Sequence, residues 1–204
     1  MIYTTRQLNI NTEDIASKVM KLKPFWVSRS NDFIFHTLGS CAYIDKQDPF
    51  YKENARLLNP LLRQEFKGLY DEVAGFLTML LGDEVTLDEK LAHPSFHIIQ
   101  SNEYATKHGG SWHMDLPQFA VGINEPQQIT FTLPIKLPTG GAGIEYADTP
   151  DKVEYLEYKE GHIIVHDGKT FHRIAPLKEC VPGEFRITLQ GHVIKQNGKL
   201  NMFW

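Results

Sequence analysis

The sequence has few cysteines and no long apolar run, and both scarcities restrict what the protein can be. Its two cysteines, Cys41 and Cys180, cannot build a disulfide framework and do not have the spacing of metal ligands. No apolar stretch approaches the roughly 18 residues of a membrane-spanning helix, so none is predicted. The first ten residues lack a basic segment followed by an apolar one, so no signal peptide is expected. These features favour a cytoplasmic protein with two inert thiols.

A surplus of positive charge is also missing. Lysine and arginine total 21 residues against 25 aspartates and glutamates, which gives a formal net charge of −4. Proteins that bind nucleic acids through phosphate contacts usually carry a strongly basic surface. We therefore expect a small molecule or a peptide as the partner, and neither a nucleic acid nor a membrane.

Internal repeats, low-complexity tracts and linkers are absent as well, which favours a single domain over residues 1–204. A chain of this length with 42% hydrophobic residues can form one well-packed core. The pattern changes near residue 90, so we expect a helix-rich support over 1–90 and a mainly β core over 91–204.

Two helices are predicted in the N-terminal part. A short helix over 13–22 follows Asn11 or Thr12, either of which can serve as its N-cap. A long helix over 60–81 is predicted to have Asn59 as its N-cap and a proline in its first turn. Its apolar residues form one stripe, which predicts packing against the outer face of a sheet. They are Leu62, Phe66, Leu69, Val73, Phe76 and Leu80.

Short β-rich runs with turns between them dominate the rest of the chain. An earlier strand is predicted over 31–37. From residue 91 onward the predicted strands cover 95–100, 128–137, 143–147, 153–158, 162–166, 170–174 and 185–194. Several strands at such spacing indicate a sandwich or barrel, so the predicted fold class is mainly β with flanking α-helices.

Three residues have the order of a metal-ligand set. His113 and Asp115 are two positions apart, so a strand would point both side chains to the same face. His172 would have to come from a distant strand, which a rolled-up antiparallel sheet can supply. Two histidines and one carboxylate are the ligands of a mononuclear iron(II) site with open coordination positions. The alternatives are a solvated loop pair for His113 and Asp115, and a packed core histidine for His172.

An arginine follows the last of these histidines by 14 residues. Arg186 and Thr188 are two positions apart in a run with strand character, so we expect both to point inward. A buried guanidinium is costly unless an anion meets it. A carboxylate, with the Thr188 hydroxyl adding a hydrogen bond, would be such a partner. The alternative is an exposed strand arginine that pairs with Glu184 or Glu160.

Together these motifs resemble the iron(II)- and 2-oxoglutarate-dependent oxygenases. The resemblance implies a double-stranded β-helix (jelly-roll, cupin-like) core, with iron(II), 2-oxoglutarate and O2 as cofactor and co-substrates. It implies that His113, Asp115 and His172 are the metal ligands and catalytic residues. It further implies that Arg186 binds the distal carboxylate of 2-oxoglutarate with help from Thr188. The resemblance covers about residues 92–192, roughly half of the chain.

A further segment is similar to one branch of this family, the nucleic-acid dealkylases. Asn102 and Tyr104 match an Asn-x-Tyr motif whose polar side chains contact the co-substrate. That branch has a second arginine six residues after the first, and here the position is His192. We therefore do not carry over its nucleic-acid substrate.

The resemblance implies hydroxylation of an unactivated C–H bond, with release of succinate and CO2. Halogenating relatives have a small residue at the position of Asp115, so the carboxylate favours hydroxylation, with desaturation or ring formation also open. Three other functions compete. They are a cupin-type metal enzyme that does not use 2-oxoglutarate, a non-catalytic small-molecule-binding jelly roll, and a nucleic-acid dealkylase.

The substrate contacts are expected from the N-terminal half and from the loop over 116–126. Free amino acids, natural-product intermediates and peptide side chains all fit the sequence. His97 is a further candidate for the pocket wall, because it shares a strand face with Ser95 and Ile99. The other candidates are proposed by residue type and location only. They are Trp26, Arg29, Trp112 and Gln118.

Overall fold

The computed structural model describes residues 3–30, 33–45, 49–116, 128–149, 152–196 and 198–204. Three α-helices, a short 3-10 helix at Lys23–Phe25 and twelve strands are found in these ranges. The α-helices are α1 (Thr12–Lys21), α2 (Tyr51–Leu81) and α3 (Glu103–Lys107). The strands are β1 (Tyr3–Gln7), β2 (Trp26–Ser30), β3 (Phe35–Leu38), β4 (Val85–Leu87), β5 (Ser95–Gln100), β6 (Gln128–Lys136), β7 (Gly143–Thr149), β8 (Lys152–Glu157), β9 (His162–Asp167), β10 (Phe171–Ile174), β11 (Phe185–Gln196) and β12 (Lys199–Phe203).

Two sheets of unequal size make up the β structure. The larger sheet has nine strands and includes the order β1-β9-β6-β11-β5-β3-β2, with β12 and β4 attached beyond β11. The smaller sheet has the order β10-β7-β8. All pairings are antiparallel except the one between β12 and β4. Ile144 and Tyr146 of β7 share a buried cluster with Ile164 of β9, so the two sheets face each other. The arrangement is the predicted jelly roll.

The seven strands predicted after residue 91 are all present, each with bounds within two residues of those predicted. The strand predicted over 31–37 is observed at Phe35–Leu38. Strands β1, β2, β4 and β12 were not predicted. β1 and β2 have mostly exposed or half-buried residues and no alternation of apolar with polar side chains. They become strands by pairing at the two edges of the large sheet.

Helix α1 begins and ends close to its predicted bounds. The Asn11 side chain is its N-cap and accepts a hydrogen bond from the backbone N–H of Asp14, at 3.0 Å. Ile15 and Val19 are buried in the main core cluster. That cluster fills the space between the helices and the outer face of the large sheet.

Helix α2 is longer than predicted, and the expected N-cap was wrong. It begins at Tyr51, so Pro60 lies inside the helix. Asn59 instead holds the chain before β5: its amide donates to the carbonyl of Leu91 and accepts from the N–H of His93. These buried hydrogen bonds favour a helix that continues through Pro60, although an interior proline removes one helical hydrogen bond.

The apolar stripe of α2 packs as predicted, with one difference. Leu62, Phe66, Leu69, Val73 and Phe76 are buried in the main core cluster. Leu80 is exposed, and Leu77 is buried in its place. The helix ends at Gly82, whose positive φ of 78° suits a residue without a side chain. Within the described ranges no helix is long and apolar enough to cross a membrane.

Candidate metal centre

The three predicted ligands come together at one end of the small sheet. His113 and His172 form an isolated antiparallel bridge, in which each N–H donates to the other's carbonyl at 2.9 Å. Two residues after His113, the N–H of Asp115 donates to the carbonyl of Gly168 at 2.8 Å, which holds the backbone of Asp115 in place. Backbone pairing therefore places residues about 60 positions apart in sequence beside each other.

The side chains converge at distances that suit a shared ion. His113 Nε2 lies 3.6 Å from Asp115 Oδ1, and His172 Nε2 lies 3.4 Å from Asp115 Oδ2. One ligand atom from each of the three residues lies within 4.8 Å of the other two. Two ligands at right angles on bonds of about 2.1 Å would be roughly 3 Å apart, so small side-chain movements would complete a coordination sphere.

Hydrogen bonds fix which nitrogen of each histidine faces the centre. His113 Nδ1 lies 2.7 Å from the carbonyl oxygen of Ser111, and His172 Nδ1 lies 2.7 Å from that of Thr170. A carbonyl can only accept, so each Nδ1 carries the proton and donates it. In the neutral ring this leaves the Nε2 lone pair directed toward Asp115. This pattern is typical of histidines that bind metals.

Asp115 is held in its ionised form. Burial alone would raise its pKa, but the hydrogen bond with His172 and the electrostatic attraction of His172 and His113 outweigh it, so the pKa is lowered well below its usual range. Burial lowers the pKa of His172, yet the contact with Asp115 raises it overall. The carboxylate is therefore available as an anionic ligand.

Three more histidines surround the triad, and burial keeps them neutral. Desolvation lowers the pKa of His166 and of His192 to about 4 and lowers that of His97 well below its usual range. The ring of His166 packs edge-on against His172, with 4.7 Å between ring centroids. His192 Nδ1 lies 3.1 Å from the Thr130 hydroxyl. These rings supply a packed surrounding without additional charge.

Arg186 is fully buried on the inner face of β11, as the alternation of that strand predicts. Ile187 and Leu189 point the other way, into the main core cluster. The Arg186 Nη2 atom donates to the Tyr158 hydroxyl at 3.3 Å, and the guanidinium carbon lies 5.0 Å from the centre of the Tyr158 ring. Its Nε and Nη1 atoms, and the Thr188 hydroxyl, have no hydrogen-bond partner in the described part of the chain.

A cavity of about 500 Å³ adjoins the triad. It is lined by Ser30, Phe33, Phe35, Tyr43, Ile44, His97, Tyr104, Gly109, Gly110, Ser111, His113, Met114, Asp115, Thr132, Ile144, Tyr158, His172, Ile174 and Gln190. His97 is in the wall, as considered from the sequence. Arg186 does not line the cavity, but Tyr158, which contacts its guanidinium, does.

The two residues of the Asn-x-Tyr motif are placed differently. Tyr104 lines the cavity and packs edge-on against Phe33. Asn102 caps helix α3 by accepting a hydrogen bond from the N–H of Ala105 at 2.7 Å, and it is not in the cavity wall. Contacts of either side chain with a co-substrate stay a prediction.

Three of the other substrate candidates, Trp112, Trp26 and Arg29, are not part of the cavity wall. Trp112 stacks on Phe171 outside it, and Trp26 packs against Phe185. Arg29 is paired with Asp45. Gln118 and nearly all of the loop over 116–126 lie outside the described residues.

Several wall residues were missed by sequence reasoning. Tyr43 and Ile44 come from the turn after β3, Phe35 from β3 itself, and Tyr158 from the segment after β8. Nothing in the local sequence marks these residues, because they reach the cavity only through long-range packing.

Comparison with known proteins gives a match at the level of structure only. No family model matches the sequence, and no curated protein matches it significantly. An N-substituted L-amino acid dioxygenase from Burkholderia ambifaria, solved in complex with alpha-ketoglutarate, superposes with a TM-score of 0.59 and 13% identity, over 100% of this chain and 86% of that one. The alpha-ketoglutarate-dependent epimerase SnoN of nogalamycin biosynthesis gives 0.55 and 9%, over 94% and 79%.

A third similar structure is a prolyl hydroxylase from Trichoplax adhaerens, in complex with a peptide fragment of hypoxia inducible factor. It gives a TM-score of 0.55 and 10% identity, over 92% of this chain and 81% of that one. The chain has the fold of these oxygenases. At such low identity the likeness establishes the architecture, and the chemistry has to be argued from the residues of this chain.

Proposed function

We propose that this protein is an iron(II)- and 2-oxoglutarate-dependent oxygenase. The observation that carries the proposal is the His113–Asp115–His172 group, in which both imidazoles direct Nε2 toward an ionised carboxylate, where a metal ion can take the place of a proton. Two nitrogens and one carboxylate on one face suit iron(II) and leave positions for other ligands. When bound there, the metal with 2-oxoglutarate and O2 supplies the oxidising power, and succinate and CO2 are released.

The polar groups beyond Tyr158 would hold the co-substrate. Arg186 has two nitrogens without hydrogen-bond partners in the described ranges, and the Thr188 hydroxyl is equally unpaired. A buried guanidinium of this kind favours a carboxylate, which it can bind with two parallel hydrogen bonds. The Tyr158 phenol contacts the guanidinium, so it would either share the carboxylate or turn aside for it.

We propose hydroxylation of a small molecule or a peptide side chain as the reaction. The three similar structures include an epimerase beside a dioxygenase and a prolyl hydroxylase, so the fold permits more than one outcome. The ionised Asp115 completes the ligand set and thereby favours hydroxylation. A cavity of about 500 Å³ has the size of typical small-molecule sites. A cytoplasmic location, where 2-oxoglutarate and reduced iron are available, fits this reaction.

One observation favours a second candidate, a metal enzyme of the same fold that does not use 2-oxoglutarate. Arg186 already has a partner in Tyr158 and does not line the cavity. In that case the triad would bind a metal, but the guanidinium would serve only the packing of β11.

The decisive experiment measures metal binding and succinate release together. We expect the iron-loaded protein to bind 2-oxoglutarate, by calorimetry, and to release succinate from it in air. His172→Ala should abolish metal binding and succinate release, whereas His162→Ala, on a half-buried histidine outside the cavity wall, should preserve both. Metal binding without any 2-oxoglutarate binding would select the second candidate.

A further inference from the structure

The buried and the more exposed parts of the cavity wall carry different kinds of side chain. Its deeply buried part contains polar groups, among them Thr132 and Tyr158, which are 3% exposed. Its more exposed part presents large apolar side chains beside the hydroxyls of Ser30 and Ser111: Ile44 is 36% and Tyr104 45% exposed. Phe33 packs against Tyr104 there, with 6.4 Å between ring centroids. A co-substrate held by the metal and the buried end would therefore leave an aromatic compartment for the primary substrate.

No lysine, arginine or glutamate, and no aspartate besides Asp115, lines the cavity in the part of the chain that the structure describes. Two charged residues described beside the rim, Arg29 and Asp45, pair with each other. Arg29 donates two hydrogen bonds to the Asp45 carboxylate, at 2.5 and 2.9 Å. Their side chains are only 13% and 11% exposed, and neither lines the cavity. A charged substrate would find no counter-ion among these rim residues.

The aromatic groups of the wall offer edges and faces to a flat ligand. Phe35 packs edge-on against His97, with 4.7 Å between centroids and an interplanar angle of 89°. Tyr43 directs its hydroxyl to His97 Nε2 at 3.2 Å. Burial lowers the pKa of His97 well below its usual range, so this ring adds no positive charge. Rings prefer such offset or edge-to-face contacts with one another.

We propose that the primary substrate is an electrically neutral, ring-bearing organic molecule, and not a free amino acid or another small ion. The inference rests on the proposed function, because it assigns the buried polar end to the co-substrate. Placing a carboxylate against the aromatic wall would remove its hydration without compensation, and cation–π contacts would offset only part of the hydration that an ammonium loses there. A neutral ring gains apolar burial there, and a hydroxyl on it can use Ser30 or Ser111 in the rim.

The test compares three probes of equal length: 3-phenylpropan-1-ol, 3-phenylpropanoate and 3-phenylpropylammonium. Binding is measured by calorimetry to the zinc-loaded protein in the presence of 2-oxoglutarate, so no turnover is needed. The alcohol should bind at least about tenfold more tightly than either ion, which corresponds to about 1.4 kcal/mol. An ion that binds as tightly as the alcohol, or an alcohol that does not bind at millimolar concentration, overturns the proposal.

A substitution at the rim tests whether the probes bind in the cavity. Ile44→Arg puts a cation at the exposed edge of the cavity and should improve 3-phenylpropanoate binding at least about tenfold. The matched control Leu57→Arg adds the same charge to an exposed leucine of α2, outside the cavity wall, and should change nothing. Equal effects of the two variants would place the probes elsewhere and overturn the proposal. If the alcohol still binds more tightly than the two ions but the iron-loaded protein releases no succinate, only the proposed function is contradicted.

Discussion

At the level of single residues, two backbone carbonyls decide how the candidate ligands can act. Ser111 and Thr170 each accept from the Nδ1 of the histidine two residues later, so both Nε2 atoms face the carboxylate of Asp115. The local hydrogen bonds thus turn a pair of packed histidines into a preorganised ligand set.

Arg186→Lys tests the co-substrate site at this scale. Lysine keeps the charge but loses the two parallel hydrogen bonds of the guanidinium, so the 2-oxoglutarate concentration for half-maximal succinate release should rise at least about tenfold. Iron binding should be unchanged, because Arg186 is not one of the three grouped residues. The matched control is Arg56→Lys, on the exposed face of α2. An unchanged 2-oxoglutarate dependence would remove Arg186 from the site.

At the level of elements, the turn after β3 brings the N-terminal part of the chain into the cavity wall. Asp45 accepts hydrogen bonds from Arg29 and from the N–H of Cys41, which closes the turn that carries Tyr43 and Ile44. Arg29 also donates to the Thr37 hydroxyl of β3. This small network couples a rim of the cavity to the edge of the large sheet.

Asp45→Asn should therefore be costly. It leaves the largely buried guanidinium of Arg29 without a counter-charge, and we expect the free energy of unfolding to fall by about 3 kcal/mol. Asp71→Asn is the matched control, since its pair with Lys67 is 61–73% exposed and should contribute less than about 0.5 kcal/mol. Urea unfolding of both variants measures the difference. An equal fall in the free energy of unfolding for both variants would show that the buried Arg29–Asp45 pair contributes no more to stability than the exposed Lys67–Asp71 pair.

At the level of the whole molecule, buried neutral histidines link stability to pH. The pKa of His166 and that of His192 are lowered from 6.5 to about 4 by burial. Between pH 6.5 and about pH 4, these two histidines bind more protons in the unfolded chain than in the folded protein. The contribution of these two rings to stability is thus fully present above pH 6.5 and is lost as the pH falls toward 4. The raised pKa of His172 acts at higher pH, because its contribution is fully present below pH 6.5 and is lost as the pH rises through that raised pKa.

Urea unfolding of the metal-free protein between pH 7 and 4 measures this dependence. Each lowered histidine should contribute up to about 1.4 kcal/mol per pH unit in this range. His192→Gln should reduce the slope by that amount, and His108→Gln, on an exposed histidine, should leave it unchanged. A stability that does not change over this range would mean that these rings are not kept neutral by the fold.

The sequence by itself determined the features that depend on near neighbours. Asn11 was recognised as a possible helix cap, the strand alternation placed Arg186 inward, and the two-residue spacing aligned His113 with Asp115. His113 and Asp115 lie outside the named strands, and His113 forms only an isolated bridge with His172, whereas the first two features follow from the geometry of a single helix or strand. For the same reason the seven later strands were predicted nearly to the residue.

Only the tertiary structure decided which distant residues meet. It brought Tyr158 against Arg186 and Tyr43 against His97, and it extended α2 through Pro60 because Asn59 bonds to the chain before β5. Such contacts depend on the packing of the whole sheet, and the local pattern carries no signal for them. The candidate metal-ligand set could be found in the sequence, whereas the wall of the cavity beside it is a product of the fold.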